Sequence, residues 1–362
     1  MSRSPDVISA IDENRAPAPN SLVELTAVRF REFLREPEAV FWTFIFPVLM
    51  AAGLGIAFRN QPPAVLKVGV VAGHAATAQT VAAIRADRRL KPVLVAPGET
   101  ARALRTGRIV LAVTADSPTA LTYRFDDTNP DGRQARMVAD DVLERAAGRR
   151  DPAATRDEQV RETGSRYIDF LVPGLLGMNL MGSGIWGIGF PIVDARRKKL
   201  LKRLIASPMS RSEYLLSFLL ARLVFLLGEI VALVGFGAWV FGVPVRGSLA
   251  VFGLICLLGS LMFSSLGLLI GSRARTIEAA SGLMNFVMLP MWVLSGVFFS
   301  ADRFPDAAQP FIRVLPLTAI NDALRANMLE GAGFTELAGK LALISAWLGV
   351  CFLVALRIFR WR

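Results

Sequence analysis

Histidine, cysteine and tyrosine are rare in this chain, which contains one, two and three of them among its 362 residues. The single histidine, His74, lies in a Gly/Ala-rich stretch and has no second histidine with which to bind a metal ion. Both cysteines, Cys256 and Cys351, lie inside apolar runs, so a disulfide framework is not indicated. The sequence therefore predicts neither a metal site nor histidine-based catalysis.

Motifs for nucleotide hydrolysis and for nucleophilic catalysis are also missing. The pair Gly339-Lys340 lacks both the upstream glycine and the following Ser/Thr of a phosphate-binding loop, and no nucleophile elbow is present. Asp126 and Asp127 are adjacent carboxylates, but they follow a predicted strand and are typical of a solvated turn. We therefore predict that the chain is not an enzyme, has no catalytic residues and binds no cofactor of its own, so that its work is driven from outside.

Long apolar runs dominate what is present, since 53% of the residues are hydrophobic. Six runs approach the roughly 20 apolar residues that a helix needs to cross a bilayer. They are 39–58, 168–193, 214–241, 248–271, 279–300 and 337–359. Much of the basic charge behind the net +11 lies in short segments beside these runs, which indicates membrane topology rather than nucleic-acid binding. The sequence thus predicts a polytopic α-helical membrane protein that contacts lipid and no nucleic acid.

Short basic segments predict the orientation of the six spans, because short cytoplasmic loops collect Lys and Arg. Such segments precede the first span, join the second to the third and the fourth to the fifth, and close the chain. All four fall on one side if the spans alternate, so both termini are predicted to be cytoplasmic and residues 60–167 external. The external segment is itself rich in arginine, but the rule is weak for long translocated loops.

The segment before the first span is predicted to lie at the membrane surface. Residues 1–20 are polar and Pro-rich, without the apolar core of a secretory signal, and are predicted to be disordered. A capping box at Ser21 and Glu24 opens a helix predicted over 21–37, which stops at Pro37. Its apolar face comprises Leu22, Val23, Ala27, Phe30, Phe33 and Leu34. This pattern favours an amphipathic helix in the cytoplasmic interface; the alternative is the start of the first span, itself placed at 38–59.

Residues 60–167 are long enough to form a small domain. Four segments have the apolar, β-branched character of strands, and three have that of helices. The predicted strands are 66–71, 92–96, 108–113 and 121–125, and the predicted helices are 77–90, 99–106 and 131–149. The order βαβαββα predicts a small extracytoplasmic α/β domain between the first two spans.

Polar side chains inside the spans are candidates for function, because they are costly in lipid. Glu229 lies near the middle of the third span, seven residues after Arg222. It either lines a substrate path or binds a partner charge, or it forms a structural hydrogen bond between helices, and the sequence does not decide between these. Asn179 in the second span and Asn285 in the fifth are more typical of interhelical hydrogen bonds than of ligand contacts.

Glycine and proline mark two unusual stretches of the membrane region. The second span is Gly-rich over 174–190, and the fourth contains Gly267-x-x-x-Gly271, a spacing that permits close helix packing or arises by chance. Pro290 interrupts the fifth span, and 300–313 is polar and Pro-broken before apolar character returns. We predict that the outer end of the fifth span breaks into short helices that dip back toward the membrane; the alternative is an ordinary outer loop with an interfacial helix.

Two stretches carry a resemblance to a known family. Residues 200–223 contain a Leu-x-x-(Ala/Ser/Thr)-Pro core at Leu204 to Pro208, followed by a second capping box at Ser210 and Glu213. Residues 285–305, with 315–325 after them, have the pattern of a broken fifth span. Together they resemble the membrane subunit of bacterial ATP-binding-cassette (ABC) exporters of the second permease type, in the long form with an external domain. The chain departs from the family at 197–199, where it has Arg-Lys-Lys instead of an acidic residue and Gly-Thr.

The resemblance implies a mechanism. Two copies, or one copy and a paralogous permease, would form a path for a drug, lipid or other amphiphile out of the bacterial cytoplasmic membrane, while a separate ATPase subunit binds ATP and Mg. A coupling helix within 195–210 would enter a groove on that ATPase, flanked by the helix at 21–37. Its coupling residues would be Lys198, Leu201, Lys202, Leu204, Ile205, Ser207, Pro208 and Met209. A simple positive-inside anchor, a membrane sensor or scaffold with a ligand-binding external domain, and a secondary transporter remain as alternatives.

Overall fold

The computed structural model describes residues 21–58, 65–117, 120–150, 164, 166–198, 211–274 and 276–358. The chain divides into two compact units, one of residues 60–160 and one of the remaining residues. Six described helices are long and apolar enough to cross a membrane. Along the chain, a four-stranded sheet follows the first of them and precedes the second. The predicted fold class, a polytopic helical membrane protein with a small α/β domain, is confirmed.

The helical unit begins with two consecutive helices, α1 (Ser21–Leu34) and α2 (Pro37–Ala57). The helix predicted over 21–37 ends earlier, at Leu34, and Pro37 is the first residue of α2 instead. Pro37 restricts the residue before it, and Glu36 leaves the helical region with φ −100° and ψ 88°. Helix α2 is not uniform: Phe41–Ile45 form a π-helical turn before the α-helix resumes at Phe46.

Helix α6 (Tyr167–Arg197) is the central member of the bundle, since most of its apolar window is buried by its neighbours. Helix α8 (Leu249–Arg273) packs along α6, and glycines of both helices lie at the contact. A Cβ atom added to Gly267 would lie only 2.6 Å from the carbonyl oxygen of Ile185, and one added to Gly271 would lie 3.1 Å from that of Gly189. The predicted close packing at this glycine pair is therefore confirmed, and it joins two helix backbones directly.

The third span packs against both helices of this central pair, and the sixth packs against α8. Helix α7 comprises an α-helical part, Arg211–Ile230, a π-helical turn, Val231–Gly235, and a final part, Phe236–Phe241. Gly242 ends it in the left-handed region with φ +63°, a conformation that glycine adopts without strain. Helix α12 (Phe334–Ile358) packs against α8.

The fifth span, α9 (Ile277–Leu294), ends six residues before the predicted Ser300. The reason is Gly296, whose φ of +68° turns the chain away from the helix axis. Two 3-10 turns, Ala301–Arg303 and Asp306–Ala308, then lead to α10 (Gln309–Val314), α11 (Pro316–Arg325) and a π-helical turn, Ala326–Glu330. Eight of the ten residues of α11 are buried, and the helix packs on α6 and α12. This placement favours the predicted broken span over an ordinary outer loop.

The α/β unit has the predicted order of elements. Its strands are β1 (Leu66–Val71), β2 (Leu90–Val95), β3 (Leu111–Ser117) and β4 (Ala120–Phe125), and its helices are α3 (Thr77–Ala86), α4 (Thr100–Arg105) and α5 (Pro130–Ala146). The sheet order is β2-β1-β3-β4, parallel except for the β3–β4 pair. Strand β3 begins three residues later than predicted: Ile109, which precedes it, is buried with α4 in a small second core.

Candidate functional site

Helix α1 is held against the first half of α7 by an aromatic cluster. Phe33 lies 4.2 Å from Phe225 between ring centroids, and Phe30 stacks on the same ring at 5.5 Å. Nε of Arg29 donates a hydrogen bond of 3.0 Å to the buried hydroxyl of Ser217. Of the four residues predicted for this helix face, Phe30 and Phe33 make these contacts, Leu22 is half-buried and Leu34 is exposed. The helix is thereby joined to α7 just after the predicted coupling helix.

The predicted coupling residues divide between the described and undescribed parts of the chain. Lys198 ends α6, is exposed and pairs with Asp194 one turn earlier at 2.7 Å. The others lie outside the described residues, namely Leu201, Lys202, Leu204, Ile205, Ser207, Pro208 and Met209. The structure therefore describes the two ends of this segment, the end of α6 and the start of α7.

Arg196, in the last turn of α6, makes a contact that the sequence did not reveal. Its Nη1 donates hydrogen bonds to the carbonyl oxygens of Gly271 and Ala274, at 3.1 and 3.2 Å. These carbonyls belong to the end of α8, where a helix lacks internal donors and where the dipole favours a cation. The side chain is half-buried as a result. Arg196 therefore ties the start of the coupling segment to the corner between α8 and α9, in addition to contributing basic charge.

Glu229 lies fully inside the bundle and is paired with Arg222 of the same helix. Nη1 of Arg222 lies 2.6 Å from Oε1 of Glu229, and both side chains are buried. The arginine Nε donates to Ser260 of α8 at 2.8 Å, and the hydroxyl of Ser183 on α6 lies 3.2 Å from Oε2 of Glu229. The partner charge considered for Glu229 is thus supplied by its own helix, seven residues away. That spacing was the one signal for this pair in the sequence.

The two asparagines singled out in the sequence occupy opposite environments. Asn179 is buried, and its Nδ2 donates a hydrogen bond of 3.1 Å to the carbonyl oxygen of Thr43, inside the π-helical turn of α2. A π-helical turn leaves backbone groups without their usual intrahelical partner, so this contact is a structural interhelical hydrogen bond. Asn285 instead lies exposed on α9, beside the exposed Phe286 and Leu289.

The break after α9 is stabilised by side chains that replace the missing helical hydrogen bonds. Three donors reach three carbonyl oxygens: Arg325 binds Gly296, Asn321 binds Ser295 at 2.9 Å, and Tyr167 binds Phe298 at 3.0 Å. Arg325 also stacks on Phe170 of α6, with its guanidinium carbon 3.7 Å from the ring centroid. Irregular backbone at membrane depth is tolerated only where protein covers it in this way. Arg325 and Asn321 were not identified from the sequence.

We expect Arg325→Met to destabilise this corner, because the carbonyl oxygens of Gly296 and Phe170 would both lose a charged donor. Hydrogen bonds to charged groups contribute about 1.5–3 kcal/mol each, so the thermal unfolding midpoint of the purified protein should fall clearly. Arg313→Met is the matched control, since Arg313 is exposed in the last turn of α10. Equal midpoints for the two variants would contradict the assigned role of Arg325.

Within the described residues, no group of three His, Cys, Asp or Glu side chains is placed to hold a metal ion. His74 lies near Asp116, with Nδ1 and Oδ1 2.7 Å apart, and both side chains are accessible to water. The two residues follow β1 and end β3 on the α/β unit. This single pair has the geometry of a surface hydrogen bond.

Comparison with known proteins assigns the chain to a family. The model of the ABC-2 family transporter protein matches residues 38–357, which include all six spans and the α/β unit. The chain is 27% identical over 173 residues to the inner membrane transport permease YhhJ of Escherichia coli K12, covering 48% of this chain and 46% of that protein.

Two further relatives come from distant organisms. The linearmycin resistance permease protein LnrN of Bacillus subtilis is 26% identical over 227 residues, covering 58% of this chain and 54% of LnrN. The ABC transporter G family member 20 of Dictyostelium discoideum is 28% identical over 186 residues, covering 51% of this chain and 26% of that protein. The chain therefore spans about a quarter to about half of the length of these three relatives. Because the family match covers most of its length, this multi-pass membrane protein belongs to the ABC-2 family of transporter permeases.

Proposed function

We propose that this protein is the membrane subunit of an ABC exporter, which moves an amphiphilic substrate such as a drug or lipid outward across the bacterial cytoplasmic membrane. ATP, with Mg, is bound and hydrolysed on a separate ATPase subunit. The observation that carries the proposal is the arrangement around the basic segment, whose two ends are held by different parts of the bundle. Arg196, at the start of the segment, binds the end of α8, and α1 packs on α7 after the segment.

This arrangement supports transmission of force from a docked ATPase. A movement of the coupling helix within 195–210 would displace α6 and α7 directly, and it would displace α8 and α1 through their contacts with Arg196 and Phe225. Four elements of the bundle would then respond to one docking event. The orientation with both termini cytoplasmic and 60–167 external, taken from the short basic loops, places this end of the bundle on the side where ATP is available.

Relatives support the location and the direction of transport. The name of YhhJ places that protein in the inner membrane, and we propose the same membrane for this chain. The name of LnrN attributes resistance to linearmycin to that permease. Resistance is a consequence of removing a compound from the cell, so outward transport is the direction we propose here.

The exposed face of α9 is the surface that we assign to a second copy of the chain. One stripe of this helix, Ala280, Met284, Met288 and Met291, is buried in the bundle, and the opposite face is open. That open face carries Asn285, an amide that is costly to expose to lipid tails. An interface or a path between two copies would give the amide a polar partner or water.

We therefore expect Asn285→Cys to form a disulfide between two copies when membranes are treated with a mild oxidant. Two exposed positions near a two-fold axis approach each other, whereas positions facing lipid do not. Leu353→Cys on α12 is the control, because Leu353 is similarly exposed. The two native cysteines are replaced by serine in both variants. Equal cross-linking of both variants, or none at Asn285, would contradict the assignment of this face.

Gentle detergent extraction tests the proposal as a whole. An affinity-tagged copy of the chain should retain an ABC ATPase subunit through purification, and the complex should hydrolyse ATP. A membrane sensor or scaffold would be recovered without an ATPase. A secondary transporter would likewise lack one, and its reconstituted transport would follow an ion gradient instead of ATP.

A further inference from the structure

A continuous chain of polar contacts crosses four of the six spans at the Arg222–Glu229 pair. It starts at the carbonyl of Thr43 on α2, which accepts from Asn179 of α6. Ser183, one turn further along α6, donates from its hydroxyl toward Glu229 of α7. The pair then reaches α8, because Nε of Arg222 donates to Ser260. Helix α7 thereby contacts α6 through Glu229 and α8 through Arg222.

Stability alone does not account for this arrangement. Removing two charges from water costs several kcal/mol per ion, and replacing a buried pair with apolar side chains of similar volume is often neutral or stabilising. The cost is at least as high in a membrane, where intramembrane charges mark functional elements. The two charges pair with each other, and Arg222 also donates to Ser260, so neither charge needs a ligand to neutralise it. A role in changing conformation fits a pair that is both costly and fully satisfied.

The contact between Ser183 of α6 and Glu229 of α7 can be broken at low cost. Its hydroxyl has a single proton and two acceptors within reach: the carbonyl oxygen of Asn179 on its own helix at 2.6 Å and Oε2 of Glu229 at 3.2 Å. A hydroxyl donates one hydrogen bond at a time. When α7 moves away, Ser183 therefore stays satisfied by its own helix, and Glu229 keeps Arg222, which moves with it on the same helix.

Two irregular helical turns lie beside the network. A π-helical turn, Val231–Gly235, begins two residues after Glu229 on α7, and another, Phe41–Ile45, contains the Thr43 carbonyl on α2. Such turns are frequent at functional sites and interrupt the regular hydrogen-bond ladder of a helix. Helices α2 and α7 thus each carry an irregular turn next to their polar contacts with α6.

We propose that Arg222 and Glu229, with Ser183 and Ser260, form a releasable lock that holds α7 against α6 and α8 in the resting state and opens when the coupling segment moves. The part about the coupling segment rests on the proposed function. These four are positioning residues: they hold helices in place and do not bind the transported substrate. The closed lock is the state seen in this structure.

Cys256 offers a built-in reporter of the lock. It is fully buried on α8, one helical turn before Ser260 and therefore on the same face. Separation of α7 from α8 would expose its thiol. The experiment measures the rate at which N-ethylmaleimide labels Cys256 in the full-length protein in lipid nanodiscs, with Cys351 replaced by serine.

Ser260→Ala and Ser183→Ala detach the lock from α8 and α6 without leaving an unpaired charge. Each should accelerate labelling in the absence of ATP by roughly fivefold, the change in an equilibrium produced by loss of one ordinary hydrogen bond. Ser265→Ala is the matched control, because Ser265 is buried on the same helix and its hydroxyl bonds to Met262 within α8. Wild-type rates in both lock variants, or equal acceleration in the control, would overturn the proposal.

A double replacement separates a structural role from a functional one. Arg222→Met alone leaves Glu229 buried and unpaired and should lower the unfolding midpoint, whereas R222M/E229L should restore it. The lock predicts that this restored protein labels at Cys256 as fast as the serine variants or faster. A double variant that is stable and labels at the wild-type rate would show that the pair only supports the fold.

Adding the ATPase subunit and ATP tests the link to transport. In the wild-type complex, ATP should accelerate labelling of Cys256 toward the rate of the lock variants. Acceleration in the serine variants without any response to ATP in the wild type would support the lock but count against its coupling to an ATPase. The two claims can therefore fail separately.

Discussion

Replacing Gly267 with valine is expected to prevent recovery of correctly folded protein from the membrane. A Cβ atom at this position would lie 2.6 Å from the carbonyl oxygen and 2.9 Å from the Cα of Ile185, and both are backbone atoms that cannot rotate away. Overpacking of a tight interface costs roughly 1–3 kcal/mol and occasionally more, and here the clash separates α6 and α8, the two most buried of the six spans. The measurement is the yield of monodisperse protein after detergent extraction and size-exclusion chromatography.

Gly253→Val provides the matched control for this prediction. Gly253 lies on the same helix, α8, but a Cβ atom there would have nothing within 4 Å. The control adds the same side chain to the same helix and should be recovered at the wild-type level. Normal recovery of the Gly267 variant would show that α6 and α8 do not pack through their glycines.

The second large effect is expected at the predicted coupling helix. Leu204→Asp or Ile205→Asp should abolish retention of the ATPase subunit, because a carboxylate would enter an apolar contact with the ATPase groove. Truncating or charging a central apolar anchor of an interface typically costs 2 kcal/mol or more, which is roughly a thirtyfold loss of affinity. Membrane insertion should be unaffected, since both residues lie between the second and third spans. Co-purification in mild detergent measures the effect.

Leu94→Asp controls for the introduction of a negative charge at a leucine. Leu94 is exposed on strand β2 of the α/β unit, away from the basic segment in sequence. This variant should retain the ATPase as the wild type does. Full retention in both coupling variants would defeat the assignment of 195–210 as the docking element.

Much of the fold could be predicted because each element carries its own local signal. Apolar length located the six spans, apolar and β-branched residues located β1, and Pro37 located the break between α1 and α2. The end of the fifth span was placed too late, at Ser300, because apolar residues continue past Gly296 while the backbone already turns there. Hydrophobicity carries no information about a positive φ, so a span end predicted from apolar residues misses the turn at Gly296.

The candidate site was less predictable, because its contacts join residues that are distant in sequence. Arg196 was counted with the other basic residues, and only the approach of α8 gives it carbonyl oxygens to bind. Asn179 and Asn285 look alike in sequence, yet one lies against Thr43 and the other lies on an open face. Glu229 could be paired with Arg222 from their spacing, but the serines that tie the pair to α6 and α8 depend on helix packing.

The most direct test of the central claim is the rate of ATP hydrolysis by the cognate ATPase subunit, measured with and without this protein in lipid nanodiscs. We expect the wild-type protein to bind the ATPase and raise its turnover, and Ile205→Asp to remove both binding and stimulation. An ATPase that neither binds nor changes its turnover in the presence of the intact protein would contradict the proposed function.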